Sequence, residues 1–252
     1  MTQASWCPGR FVWWELHTPD IAKSKAFYEA VVGWKIAPVQ AGSIQYTMIH
    51  VGGRGMGGMA PLADVQMQGV PPFWMAYVSV LDVDAAAAAA RSAGGKVLLG
   101  PVDMPPVGRF AVLVDPQGAA VMAYKASQGD PPEVELPGPG MMGWTELYTT
   151  DVAGAAAFYE KVFGWKLRPF MGNPNMPVFY RGERVAGGLM KAPEGMPPNW
   201  LNHVVVADLA EARTKAVQLG GRVLVEELAM PGLGRFSVLL DNVGAGISLF
   251  QR

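Results

Sequence analysis

Residues 20–34 read DIAKSKAFYEAVVGW, and residues 151–165 read DVAGAAAFYEKVFGW. Two stretches this similar in one chain mark a duplicated domain, so every position can be read twice. The repeat extends outward from them. Phe27-Tyr28 and Phe158-Tyr159 are 131 positions apart, whereas Trp74 and Trp200 are 126 apart, as are the GRF elements at Gly108 and Gly234. Five residues are therefore missing from the second copy between these landmarks, which points to a shortened loop after the first helix and its neighbouring strands. Between the copies, Ser127 to Gly140 reads SQGDPPEVELPGPG, too rich in Pro and Gly for a helix or a central strand. The expected organisation is a first domain over 8–126, a linker over 127–138 and a second domain over 139–252.

Composition narrows the class. The chain has 252 residues, half of them hydrophobic, and a formal net charge of −1. That length supports a substantial core, and the charge balance gives no electrostatic reason for a nucleic-acid or membrane partner. A single cysteine, Cys7, excludes an internal disulfide framework and fits a reducing compartment. The opening MTQASWCPGR has no apolar signal region, and no apolar run approaches the roughly 20 residues of a membrane span. The expectation is a cytoplasmic protein, a monomer or homodimer, with a small molecule as its partner.

Helix punctuation recurs four times. Asp20, Asp151 and Asp208 each open a helical pattern, and so does Asp82 or Asp84. Gly33, Gly94-Gly95, Gly164 and Gly220-Gly221 close them. Asp accepts from free N–H groups at a helix start, and Gly takes the left-handed conformation at its end. Each helix follows a short strand (Phe11 to His17, Phe73 to Val80, Gly143 to Tyr148, Asn199 to Val206) and precedes further short strand segments. The unit is β-α-β-β-β, occurring four times, which makes an α+β fold with two such modules per copy.

At these residues the chain resembles the vicinal-oxygen-chelate superfamily, the glyoxalase/bleomycin-resistance/extradiol-dioxygenase fold. The resemblance rests on the strand, TPD and AFYEAVVGW run from Thr18 to Trp34 and on GRFAVLVDPQGA from Gly108 to Ala119, both repeated in the second copy. It implies two tandem glyoxalase-like domains, each a curled mixed sheet or barrel with helices outside and a cavity within. It implies no single function, since this fold hosts isomerases, dioxygenases, lyases and binding proteins.

Alternation along the first strand puts Val12, Trp14 and Leu16 under the helix and Trp13, Glu15 and His17 on the other face; Trp144, Glu146 and Tyr148 repeat that face. An aromatic and carboxylate mixture suits a small-molecule pocket. In metal-dependent members of the superfamily the ligands come from the first and last strands of a module. Those slots fall here on Trp13 and Trp144, on or beside Trp74 and Trp200, on Met122 and Ser248, and near Met59 and Leu189. None of these side chains is a ligand for Zn, Ni, Mn or non-haem Fe, and His17, His50 and His203 fall outside the slots. The resemblance therefore leads to an expectation of no metal and no cofactor. Candidate ligand-binding residues are Trp13, His17, Trp74, Met122, Trp144, Tyr148, Trp200, Asn202 and Ser248. Glu15 and Glu146 are either general bases or carboxylates that pair internally or contact the ligand.

The remaining features have structural readings beside functional ones. Arg109 and Arg235 bind an anion or anchor a turn to a carboxylate. His203 is expected to pack and His50 to be exposed. The glycines from Gly52 to Gly58 mark turns and kinks, and Met48, Met56, Met59 and Met67 fill core or line a pocket. The leading expectation is a metal-independent protein that binds a small aromatic or apolar molecule, plausible in detoxification, resistance or secondary metabolism. The alternatives are a metal-free lyase, isomerase or hydroxylase-like enzyme and a scaffold for interactions.

Overall fold

A computed structural model describes residues 5–42, 44–65, 69–230 and 232–252. The first copy runs β1 (Phe11–Thr18), α1 (Ile21–Val31), β2 (Lys35–Ala41), β3 (Ile44–Val51), β4 (Arg54–Pro61), β5 (Phe73–Ser79), α2 (Val83–Ser92), β6 (Lys96–Met104), β7 (Gly108–Val114) and β8 (Ala120–Ala126). The second runs β9 (Met142–Thr149), α3 (Val152–Phe163), β10 (Lys166–Phe170), β11 (Asn173–Arg181), β12 (Arg184–Lys191), β13 (Asn199–Val205), α4 (Leu209–Gln218), β14 (Arg222–Met230), β15 (Gly234–Leu240) and β16 (Gly246–Gln251). This is the α+β arrangement of four β-α-β-β-β modules. Each copy contributes one eight-stranded mixed sheet, in the order β2-β3-β4-β1-β5-β8-β7-β6 and its equivalent β10-β11-β12-β9-β13-β16-β15-β14. Both sheets are open: β2 and β6 end one and β10 and β14 the other, so neither closes into a barrel. Residues 127–138 form neither helix nor strand, and among the described residues no helix is long and apolar enough to cross a membrane.

The helix starts follow cap chemistry. Asp20, Asp82, Asp151 and Asp208 accept from the backbone N–H of Lys23, Ala85, Gly154 and Glu211 at 2.9–3.0 Å. The cap of α2 is thus Asp82, and Asp84 lies in its first turn, where it meets Arg109. Four of the five residues missing from the second copy fall in one connection. Residues 62–72, which include a short turn at Leu62–Asp64, join β4 to β5, whereas only residues 192–198 join β12 to β13.

By contact, the chain divides into two compact units that cut across the copies. One consists of residues up to Trp13, Ala76–Glu133 and Thr145–Trp200; the other of Trp14–Met75, Val134–Trp144 and Leu201–Arg252. Each takes one module from each copy. In the first unit α2 packs on α3, and in the second α1 packs on α4. The core of the second unit accordingly gathers Leu16, Phe27, Tyr28, Trp34 and Trp74 from one copy with Val204, Leu209, Leu239, Ile247 and Leu249 from the other.

At the centre of each unit lies the same polar chain. In the second unit Trp74 Nε1 donates to Tyr28 Oη at 3.0 Å, and Tyr28 donates to Asp241 Oδ2 at 2.8 Å. In the first unit Trp200 donates to Tyr159 at 3.0 Å and Tyr159 to Asp115 at 3.1 Å. The other oxygen of each aspartate accepts three backbone N–H groups, from residues 117–119 or 243–245. Burial pushes both tyrosine hydroxyls well above their ordinary pKa and raises the aspartates against those hydrogen bonds. The FY and DPQGA/DNVGA motifs are therefore partners, each tyrosine joined to the aspartate of the opposite copy. The tryptophan closing each GW motif does likewise: Trp34 donates to Gly140 O at 2.6 Å and Trp165 to Gly9 O at 2.8 Å.

Candidate functional site

In β1, Leu16 is fully buried and Trp14 packs on the core, while Glu15 and His17 on the opposite face stay partly exposed at 13% each. Tyr46 on β3 donates its hydroxyl to Glu15 Oε2 at 2.5 Å, and His17 Nε2 lies 3.2 Å from Glu15 Oε1. The His17 ring stacks on Phe73 at 4.7 Å and 19°. β4 lies between β3 and β1, and it carries Gly58 opposite Glu15. A Cβ at Gly58 would fall 1.9 Å from the Tyr46 hydroxyl, so only glycine lets the phenol cross β4 to reach the carboxylate. Tyr46 thus already donates to one oxygen of Glu15, and the imidazole of His17 lies against the other. The group is a carboxylate beside a stacked imidazole and phenyl pair.

The second copy keeps the carboxylate and changes its support. Glu146 lies opposite Gly188 in the same parallel register. Gly58 pairs with Met48 and Gly188 with Val178, which maps Tyr46 onto Met176. No phenol reaches across there. Tyr148, two residues along on the same strand, is hydrogen-bonded to Glu146 instead. Burial first, then the charge of Glu146, raises its pKa well above the ordinary 10.

The other candidates are dispersed. Trp74 and Trp200 are 6% exposed and point into the cores through the tyrosine chains just described, away from the Glu15 face. Both indoles take the core side of their strands, because one residue along a strand reverses the face. Asn202, on the Trp200 side of β13, is fully buried. Met122 is buried opposite Tyr77, whose ring meets Tyr124 edge-on at 5.6 Å. Trp13 and Trp144 are half-buried on the carboxylate face of their strands. Ser248 is fully buried and stands in register with His203, and its hydroxyl has no hydrogen-bond partner among the described residues. His203, edge-on to Phe236 at 5.4 Å, has its pKa pushed down to about 3 by burial. It packs as expected, whereas His50 is half-buried rather than exposed.

Arg109 grips Asp84 through Nε and a second nitrogen, and Asp103 through a third. Arg235 pairs with Glu227 and Gln251. Arg109 therefore ties β7 to α2 and β6, and Arg235 ties β15 to β14 and β16. Met56 and Met59 are core, Met48 is half-buried, and Met67 lies outside the described residues. Sequence reasoning missed Tyr46 and Phe73 as neighbours of Glu15 and His17; the signal was Gly58, read as a kink. A depression of about 360 Å³ opens beside Thr18, Pro61, Leu62 and Val70, and none of the candidate residues lines it.

Among the described residues no three His, Cys, Asp or Glu side chains converge as a metal-binding group. Glu15 is engaged by Tyr46 and His17, His17 Nδ1 is buried with no hydrogen-bond partner among the described residues, and the slots predicted for ligands hold indole, thioether, aliphatic and hydroxyl groups. This donor set does not fit the divalent ion found in metal-dependent proteins of this fold.

Residues 10–52 match the family described as bleomycin resistance protein-like N-terminal, and residues 141–249 match the glyoxalase/bleomycin resistance protein/dioxygenase superfamily. The chain is 33% identical over 244 residues to a Mycobacterium tuberculosis protein named "Putative glyoxylase CFP32", covering 95% of this chain and 93% of that one. It is 32% identical over 262 residues to the anthracycline biosynthesis protein DnrV of Streptomyces peucetius, covering 97% and 94%. Among solved structures, the Mn(II)-bound glyoxalase of Novosphingobium aromaticivorans aligns with a TM-score of 0.65 at 17% identity, over 97% of this chain and 82% of that one. That last likeness is one of fold.

Proposed function

Because this chain belongs to the glyoxalase/bleomycin resistance protein/dioxygenase superfamily, we propose that it binds a small planar aromatic molecule without a metal ion, at the Glu15 face of its first copy. The observation that carries this reading is Glu15, hydrogen-bonded to Tyr46 and 3.2 Å from His17 Nε2, with Phe73 stacked on the imidazole, on the strand face turned away from the core. A half-buried carboxylate in such a group adds little to stability, since its desolvation offsets the contacts it makes. A stacked imidazole and phenyl offers an aromatic platform, and a carboxylate beside it favours a ligand carrying a hydrogen-bond donor or positive charge. Two relatives at 32% identity are named for anthracycline biosynthesis, which supports the ligand class by analogy.

Titration of tryptophan fluorescence with an anthracycline tests this. Saturable quenching that persists after treatment with a chelator is expected, weakened about tenfold or more in His17→Ala and Glu15→Gln. Quenching that appears only after a divalent ion is added would sink the metal-free reading. A panel of aromatic compounds with no saturable member would sink the binding reading. Glu15→Gln also separates binding from catalysis. Retained affinity with lost turnover would make Glu15 a general base, a role that the Tyr46 hydrogen bond to its carboxylate opposes.

A further inference from the structure

We propose that Arg10, Arg181 and Arg184 form an oxyanion site that the chain's own Glu133 fills, and that the phosphate or carboxylate group of a small molecule displaces it. All four residues belong to one compact unit. Arg181 and Arg184 each donate to one oxygen of Glu133, the latter at 3.1 Å, and Arg10 donates to the carbonyl of Pro131 two residues earlier. A Cβ at Gly9 would lie 3.3 Å from the Cβ of Arg181, so the entry to β1 runs beside the end of β11 and brings Arg10 to Arg181. Burial raises the pKa of Glu133, but the hydrogen bond from Arg181 and the charges of Arg181, Arg184 and Arg10 outweigh it and hold the carboxyl below its usual range.

Two observations mark this as more than a clasp. Arg10 is 9% exposed, yet its Nε has no hydrogen-bond partner among the described residues, and the Nε of Arg181 is buried in the same condition. A guanidinium offers five N–H donors, and a buried charged donor left without an acceptor is costly. A single carboxylate under-fills the site, whereas a phosphate brings more acceptor oxygens in a geometry that arginine matches in pairs. Glu133 also sits in a stretch with neither helix nor strand, so its departure breaks no ladder or helical hydrogen bond. The site is separate from the Glu15 group and does not depend on the function proposed above.

The test is calorimetric titration and thermal melting of the full chain with inorganic phosphate, then acetate, against potassium chloride at matched ionic strength. Phosphate is expected to raise the melting temperature of the parent protein beyond the chloride control, because a ligand of the folded state stabilises it. Glu133→Gln, which removes the resident competitor, is expected to bind phosphate about tenfold tighter, and Arg181→Gln to lose the effect. If Arg181→Gln does not fold, Arg184→Gln decides, since Arg184 is half exposed; it is expected to weaken binding several-fold. A larger effect of acetate than of phosphate would assign the site to carboxylates. Equal responses to phosphate and chloride in both the parent and Glu133→Gln, or full phosphate binding in the arginine variants, would overturn the proposal and leave a structural clasp.

Discussion

Gly58 leaves the space through which the Tyr46 phenol reaches Glu15, so a methyl group there breaks a contact between the two strands that flank β4. Gly58→Ala is expected to reproduce the ligand-binding loss of Tyr46→Phe to within about twofold in the fluorescence titration, while the equivalent change in the second copy leaves that loss absent. The tyrosine chains make a second prediction. Tyr28→Phe removes the donor to Asp241 and the acceptor of Trp74, and leaving buried polar groups unpaired costs about 1–3 kcal/mol each. Urea unfolding should show a loss of about 2–6 kcal/mol for the two groups together, with Tyr159→Phe behaving alike. His203 supplies a third, with a definite sign. Its folded pKa of about 3 lies below its ordinary 6.5, so between those values the unfolded chain binds more protons than the folded one. Its contribution is therefore present above pH 6.5 and is lost as pH falls toward 3. His203→Leu should shift the acid-unfolding midpoint to lower pH, measured by circular dichroism against the parent. Asp115 and Asp241, whose pKa values are raised, carry the opposite sign and are common to both proteins in that comparison.

Elements show why some of this architecture is legible in the sequence. A helix cap is local: Asp20 and Asp151 need only the N–H three residues on, and the duplicated pattern exposes them. Asp151→Ala should cost about 1 kcal/mol in chemical denaturation. The four modules are equally local, because each helix is bracketed by its own cap and glycine. Position on a strand is different. Counting residues finds the neighbourhood of Trp74 and Trp200, but the face alternates at every step, and a shift of one moves an indole from the pocket wall to the core. The Glu15 group is less legible still, since it joins β1 to β3 across β4 and depends on strand order. Tyr46 has only Met176 at its place in the second copy, so the internal alignment that exposed the fold conceals this contact.

The whole molecule depends on exchange between its copies. Residues 1–126 alone would leave the Tyr28 hydroxyl without Asp241, the Trp34 indole without Gly140 and α1 without α4. Neither that fragment nor 139–252 should give a dispersed NMR spectrum as a monomer, and mixing the two should restore one; independent folding of either would show that the crossed contacts are dispensable. The same crossing sets a timetable for synthesis. The unit built from Ala76–Glu133 and Thr145–Trp200 has all its chain once Trp200 has emerged, whereas the unit that begins at Trp14 needs Ile247 and Leu249 from the last strand. At roughly 5–20 residues per second the first-made module waits on the order of ten seconds or more for its partner. Phe27, Tyr28 and Trp34 stand uncovered during that interval, so a nascent chain stalled before its final strand is the form of this protein that chaperones should hold longest.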